Sequence, residues 1–549
     1  IPALALEGVT LVISPLIALM KDQVDALKAN GIFAEFINST MTPNRIEDVL
    51  ARVRSGEIKI LYVAPERFAV PGFYEFLAHS RVSLIAVDEA HCISEWGHDF
   101  RPHYGNLKTL KAYFPHVPLI ALTATATSRV REDIIFELNL ASPGIFISSF
   151  NRANLTYAVY QKDNAFELLL RVLKKYKGES VIIYCFSRKD TEKLTGKLTR
   201  AGFTAVAYHA GLNAALRAKT QEEFIHDRIP VIVATIAFGM GIDKPDVRLV
   251  VHYDLPKSVE GYYQETGRAG RDGLPSECAL LYSHGDVMKH YRFINEIPNV
   301  KDKKHAEDKL KQIVAYAELS NCRRRFLLKY FDEEIGDSCS GCDNCLGMTK
   351  TVDVTETVQK IMSAIVRTGE RFGGGYIGDV LAGHVDQKIM MYGHDKLSVF
   401  GIAPDLKKKQ IIGMINVLCV QGLLVNKGGE YPVYALTPRG KQFLKNKETL
   451  ALSKTVMPPA QVFRTREEID DRSTTASAGL FTELRKLRKK LADERSIPPY
   501  MIFGDRTLTE MCRYLPKDED EFSQIFGVGT QKLSQFGAAF LEVIRNYQS

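Results

Sequence analysis

The stretch Leu84-Ile85-Ala86-Val87-Asp88-Glu89-Ala90-His91 reads as four apolar residues that stop on two carboxylic acids. An apolar run without polar alternation is the pattern of a strand buried on both faces. Three further runs in the first 150 residues resemble it. They are Val9 to Ile13, before Ser14-Pro15; Ile58 to Val63, before Ala64-Pro65; and Leu119 to Leu122, before Thr123. A helical pattern follows the first of them through Lys28. Strands of this kind separated by helices predict a parallel sheet covered on both faces. The polar residues follow the strand ends, where open parallel sheets place their ligands.

Residues 151–295 repeat the arrangement. Val181 to Cys185 precedes Ser187-Arg188, Ala205 to Tyr208 precedes His209-Ala210-Gly211, Val231 to Ala234 precedes Thr235, and Leu249 to Tyr253 precedes Asp254. Two α/β domains in tandem form a cleft between them. Residues 296–350 are helical and charged and end in a cysteine cluster. Residues 351–450 read as helices followed by a small hairpin around Gly428-Gly429, the order of a winged helix. Residues 451–475, with Pro458-Pro459, are expected to be a linker. Residues 476–549 are helical throughout.

The bulk properties bound the function. At 549 residues several cores are expected, since domains run to ~100–200 residues. The net charge of +7 permits a polyanionic partner without demanding one. No apolar run approaches the ~20 residues that span a bilayer, so no membrane partner is expected. Nine cysteines in this length do not suggest a secreted disulfide scaffold, and a reducing cytoplasm fits. Cys92, Cys185, Cys278, Cys419 and Cys512 are isolated and read as small buried hydrophobes.

Four motifs carry chemistry. Asp88 at a strand end can hold Mg²⁺ on nucleotide phosphates, and Glu89 can polarise an attacking water; paired acids there can also be a solvated turn. Thr123-Ala124-Thr125-Ala126-Thr127 closes another strand and could relay between sites, or cap the helix before Arg129. Gln264-x2-Gly267-Arg268-Ala269-Gly270-Arg271 places two guanidinium groups three residues apart, expected on one helical face. Aimed at a γ-phosphate, such a group stabilises the charge developing in transfer; the alternative is a surface ion-pair cluster. Gly239 in Thr235 to Asp243 allows close backbone approach to a phosphate, and Asp243 could accept from ribose.

Together these motifs resemble the superfamily 2 helicases in order, spacing and strand-end placement. Cys92-Ile93-Ser94-Glu95-Trp96-Gly97-His98-Asp99-Phe100-Arg101-Pro102 resembles the aromatic-rich loop of the RecQ helicases, and Trp96 is the only tryptophan. Trp96, His98, Phe100 and Arg101 combine π-faces with a cation, which suits stacking on unpaired bases; the alternative is a hydrophobic plug under the sheet. Further matches are Ser14-Pro15-Leu16, Tyr208-His209-Ala210-Gly211-Leu212 and Glu265 to Gly273.

The resemblance covers essentially the whole chain. It implies two tandem RecA-like parallel-sheet domains, then a zinc-binding subdomain, a winged helix and a small all-α HRDC-like bundle. It implies an ATP-dependent DNA helicase of 3′ to 5′ polarity using ATP and Mg²⁺. Asp88, Glu89, Arg268 and Arg271 would be catalytic, and His91 would couple them to the aromatic loop. Gln264, Gly239, Asp243 and Thr123 would face the nucleotide; Ser14, Pro15, Thr235 and the aromatic loop would face DNA. Expected partners are single-stranded and forked or tailed duplex DNA and a single-stranded-DNA-binding protein, in a cytoplasmic, nucleoid-associated setting.

The pattern departs at one place. No G-x4-G-K-[ST] occurs in the chain, although that loop's N–H groups and lysine bind the β/γ-phosphates. A truncation ahead of Ile1 is the expectation, removing the loop and the sheet's first strand; a non-catalytic DNA-binding protein is the alternative. An RNA helicase of the DEAH kind is the nearest other enzyme, but it would need neither the cysteines, the winged helix nor the Trp96 loop.

Cys322-x16-Cys339-x2-Cys342-x2-Cys345 can close a tetrahedral thiolate site around one structural Zn²⁺, with a redox pair or iron–sulfur cluster as alternatives. Arg323, Arg324, Arg325 and Lys329 could meet phosphates or be a solvated helix face. In the winged helix Arg371, Lys407, Lys408 and Lys409 are candidate phosphate contacts or plain surface, and Tyr431 near the wing tip could press on a terminal base pair. The first helix of the C-terminal bundle is basic, with Arg485, Lys486, Arg488, Lys489 and Lys490.

Overall fold

The computed structural model describes residues 1–15, 17–95, 101–162, 164–239, 243–427, 432–455 and 475–548. The expectations for Trp96, His98, Phe100 and Tyr431 fall outside these residues.

The first sheet contains β1 (Val9–Ile13), β2 (Ala34–Ile37), β3 (Ile60–Val63), β4 (Val82–Val87) and β5 (Leu119–Ala121), in the order β2-β3-β1-β4-β5. Every pairing is parallel. β1 and β4 are central neighbours, with Ile13 opposite Val87. This register puts Ser14 and Asp88 side by side where the strands end. Tyr104, Leu107 and Val130 seal one face of the sheet against the chain that follows Asp88.

The second sheet contains β6 (Leu155–Gln161), β7 (Ser180–Tyr184), β8 (Ala205–Tyr208), β9 (Val231–Ala234), β10 (Val247–His252) and β11 (Ser276–Tyr282). Its order is β6-β11-β10-β7-β9-β8, again all parallel. Apolar clusters cover both faces, which is why its strands read as unbroken apolar runs.

The cysteine segment is joined to this sheet. Tyr157 in β6 donates its N–H to Gly341 (3.0 Å), and Asp343 donates its own to Tyr157 (2.9 Å). The cysteine loop therefore continues the sheet past its edge. Arg323 and Arg324 are buried, against both readings given above. Arg323 pairs with Asp343 (2.5 Å), while Arg324 donates to Asn151 (2.8 Å) and to the Arg152 carbonyl (3.0 Å). Arg323 holds the module together internally, and Arg324 fastens it to the second α/β domain. Arg325 is exposed and pairs with Asp337.

The winged helix packs helices Thr355–Arg367, Gly374–Ala382 and Lys408–Val420 against β13 (Leu424–Asn426) and β14 (Tyr434–Leu436). An antiparallel ladder of β12 (Thr349–Asp353) with β15 (Ala451–Thr455) closes it. The expected linker start at 451 is thus corrected: residues 451–455 form a strand whose partner lies a hundred residues earlier. The last residues form a bundle around Phe503, Phe522 and Phe540. Its basic helix Thr475–Arg495 is turned inward in part. Arg488 is buried against Asp505 (2.9 Å). Arg485 pairs with Glu179 (3.3 Å) and Lys489 donates to the Asp227 carbonyl (2.8 Å), so both face the second α/β domain. No helix among the described residues is long and apolar enough to cross a membrane.

Candidate functional site

The strand ends of the two sheets face one cavity of about 400 Å³. Asp88, Glu89, Ala124 and Thr125 line it from the first domain; Gln264, Arg268 and Arg271 line it from the second. Residues separated by some 180 positions thus meet across a cleft, as the order of the motifs led us to expect.

Asp88 accepts from the Ser14 hydroxyl (3.4 Å) and from the Glu89 N–H (2.9 Å). Burial pushes its carboxyl above the ordinary range, only partly offset by these bonds. Among the described residues no cation pairs with it. A carboxylate in that position fits Mg²⁺, which would restore the missing positive charge. Glu89 holds a left-handed backbone at φ 45°, uncommon outside glycine. That turn separates its side chain from the strand direction. Glu89 reaches His91 Nδ1 at 3.3 Å, and the same nitrogen lies 2.9 Å from Thr123 Oγ1.

Arg268 is buried in the opposite wall. Gly239, at φ 129°, lets it approach: a Cβ there would lie 2.8 Å from the Tyr184 hydroxyl and 3.1 Å from Arg268 Nε. Burial works against the Arg268 charge, while Tyr184, Glu89 and Glu265 support it. A poorly hydrated cation in this position answers strongly to an incoming phosphate. Arg271 is more exposed and pairs with Asp243 at 2.6 Å.

Several expectations need correction. Helix Val259–Thr266 ends before Arg268, so the two arginines lie on a turn rather than on one helical face. Gly270 is the reason: it sits at φ 52°, with Asn154, Ser276 and Leu274 too close for any Cβ. Asp243 is exposed, lines the cleft and pairs there with Arg271. Thr123 bonds His91 instead of presenting its hydroxyl to the cleft alone. Ser14 is fully buried with its hydroxyl on Asp88, so it is not an open DNA surface, while half-buried Pro15 accepts from Arg101 (3.0 Å) through its carbonyl. Thr235 is half-buried and its N–H bonds Tyr208 (3.2 Å). Thr127 makes no capping bond to the helix that follows.

In the winged helix Lys407 is exposed at the start of helix Lys408–Val420, whereas Lys408 is paired with Asp379 at 2.6 Å. Arg371 is exposed and lies over the rings of Phe372 (5.8 Å) and Tyr392 (5.6 Å). Only Lys407 and Arg371 of these keep a charge without an acid against it.

Sequence reasoning missed Arg152. Its guanidinium donates to the carbonyls of Gly267 (3.4 Å), Ala269 (3.0 Å) and Gly270 (2.7 Å). It is the strut under the turn that carries Arg268 and Arg271. No spacing rule marks it, because its partners are backbone carbonyls more than a hundred residues away. Replacing it with alanine leaves three acceptors short of a donor, and each bond is worth about 0.5–1.5 kcal/mol. Arg152→Ala should lower the melting temperature by several degrees and blur the arginine turn, read as faster amide exchange confined to residues 266–273.

The four cysteine sulfurs lie within 4.8 Å of one another. Such a cluster fits a closed tetrahedral zinc site with no open position. The Cys322 sulfur accepts the Arg325 N–H (3.4 Å) and the Cys345 sulfur accepts that of Cys339 (3.3 Å). These N–H donors favour thiolate, the form that binds metal.

An acid pair and an arginine turn facing each other from two parallel-sheet domains define the motor core of a helicase. Comparison with known proteins agrees along the length of the chain. Residues 1–134 match the DEAD/DEAH box helicase model, 164–273 the helicase conserved C-terminal domain, 284–346 RecQ zinc-binding, 348–461 the RQC domain and 477–544 the HRDC domain. The whole chain is 44% identical to the ATP-dependent DNA helicase RecQ of Haemophilus influenzae, spanning 89% of that protein. It is 43% identical to the Pasteurella multocida helicase of the same name, over 87% of its length, and 39% identical to that of Bacillus subtilis, over 90%. The chain belongs to the RecQ family of DNA helicases.

Proposed function

We propose that this chain is an ATP-dependent DNA helicase that acts in repair, recombination and replication-fork maintenance and moves 3′ to 5′ on its loading strand. The observation that carries this is the cleft in which Asp88 and Glu89 face Arg268 and Arg271. Asp88 would hold Mg²⁺, which supplies charge neutralisation on the nucleotide phosphates. Glu89 orients and deprotonates the attacking water. Arg268, with Arg271 beside it, meets the charge that develops on the transferred phosphoryl group. Gln264 and Gly239 supply the polar lining and the room beside it. The relatives matched over the full chain are named as ATP-dependent DNA helicases, which does not favour the non-catalytic alternative.

His91 is the link to DNA. Its Nδ1 meets both Glu89 and Thr123, and it directly precedes the loop that starts at Cys92. Stacking of bases on Trp96 and Phe100 shifts that loop and, through His91, sets Glu89. Arg371 and Lys407 bind duplex phosphates in the winged helix, and forked or tailed DNA is the substrate form that engages both parts. The same reading adds a single-stranded-DNA-binding protein as partner and a cytoplasmic, nucleoid-associated setting.

The test separates coupling from binding. In a form extended upstream to include a phosphate loop, Trp96→Ala and Phe100→Ala should abolish DNA stimulation of ATP hydrolysis while duplex affinity stays within about twofold, because affinity rests mainly on phosphate contacts elsewhere. Full stimulation in both variants would remove the coupling role and leave the loop as a plug under the sheet.

A further inference from the structure

The helix Ser128–Glu137 begins directly after the strand-end segment 123–127, whose Thr125 lines the cleft. Its own Thr127 does not cap it. The cap comes from the cysteine module, two hundred residues away. Asp332 accepts the Ser128 N–H (3.1 Å) and the Ser128 hydroxyl (2.5 Å), and Arg131 approaches it at 3.4 Å. The Ser128 bonds, more than Arg131, hold the Asp332 carboxyl below its ordinary range. The carboxylate is half exposed, so the Arg131 pair is screened and the capping bonds carry most of the contact.

Its two neighbours grip the junction between the domains. Phe331 is buried and stacks on Phe150 at 4.7 Å and 10° between planes. It also packs on Tyr263, 4.8 Å away, and Tyr263 lines the cleft from the second domain. Glu333 accepts from the Ser149 hydroxyl (2.6 Å) and the Phe150 N–H (2.6 Å) on the connecting segment. The backbone supports a purpose for this arrangement. Asp332 sits at φ 66°, a conformation that disfavours a side chain, and glycine would take it without cost. Strain kept at a residue whose carboxylate takes two bonds from Ser128 in the other domain points to a positional role.

We propose that Phe331, Asp332 and Glu333 are positioning residues for the cleft, a brace that fixes its first wall to its second through the zinc module. This rests on reading the cleft as the ATP site. Arg324 anchors the module to the second domain, and Asp332 reaches across to the first.

Asp332→Gly tests this, because glycine suits the backbone and removes only the side chain. Amide exchange measured by mass spectrometry on the 549-residue chain should rise about tenfold over residues 128–132, the change expected on losing an ordinary helix cap. Zinc content should stay unchanged, and the melting temperature should hold or rise. Asp332→Asn, which keeps an acceptor oxygen in place, should restore the protection. Phe331→Leu should raise exchange around Tyr263. Exchange at 128–132 equal to that of the parent in Asp332→Gly would overturn the proposal, as would failure of asparagine to restore it. If Asp332→Gly loses zinc, Ser128→Ala with Arg131→Gln makes the same comparison from the first domain. These readouts need no ATP turnover, so they stand apart from a failure of the helicase reading, which would show as absent unwinding in every form.

Discussion

Cys342→Ser should release the zinc and unfold the module that holds it, the largest stability effect expected in this protein. Structural zinc contributes apparent binding energy on the order of 10–16 kcal/mol to small metal domains, and a closed site with one thiolate removed keeps little of it. Here the loss spreads. Cys342 bridges to Tyr157 at the edge of the second sheet, and the adjacent Asp343 accepts from the Val159 N–H (2.9 Å) and from buried Arg323. A displaced cysteine loop leaves that guanidinium buried without its acid, itself worth about 3–5 kcal/mol. Elemental analysis should find one zinc per chain in the parent and none in the variant, with a melting transition lower by ten degrees or more. A variant that melts like its parent without zinc would show that the cysteines are not the keystone of this module. An iron chromophore in the parent would assign a different metal.

ATP turnover should depend on Arg268 by orders of magnitude. An arginine aimed at the transferred phosphoryl group is worth ~10³–10⁵ in rate. Arg268 is the better placed of the two, since it is buried against Gly239 while Arg271 is engaged by Asp243. The assay must respect the sequence, because the 549 residues contain no G-x4-G-K-[ST] stretch. Without the cradle of N–H groups these residues alone should hydrolyse ATP negligibly, even with saturating single-stranded DNA. Extended upstream by a segment that carries a G-x4-G-K-[ST] loop, they should turn over ATP in a DNA- and Glu89-dependent way. In that form Arg268→Ala should lower kcat at least a thousandfold with KM little changed, because the contact forms in the transition state. Brisk Glu89-dependent turnover by the 549 residues alone would show that the cradle is dispensable. A thousandfold loss in Arg271→Ala but not in Arg268→Ala would exchange their roles.

The sequence by itself determined the two parallel sheets, the acid pair and the four cysteines. Burial on both faces forces strands to be apolar throughout, so β1, β4, β7, β9 and β10 announce themselves, and the polar residue after each marks the ligand edge. Metal ligands are as legible, because short-range spacing is their chemistry. What escaped was set by partners far along the chain. β11 lies in the middle of its sheet yet carries Glu277, which breaks the apolar pattern; the Tyr160 (3.1 Å) and Tyr176 (2.9 Å) hydroxyls make that carboxyl tolerable in the core. β15 read as linker because β12, the strand it pairs with, lies a hundred residues earlier. Arg323, Arg324 and Lys408 could be phosphate contacts or plain surface, and Arg488 was one of five basic residues on its helix, until tertiary structure supplied Asp343, Asn151, Asp379 and Asp505. A cation's meaning depends on whether an acid stands opposite it, and no local pattern records that. The brace from Asp332 to Ser128 is the extreme case: a helix cap normally comes from the neighbouring residue, and here folding brings it from another module.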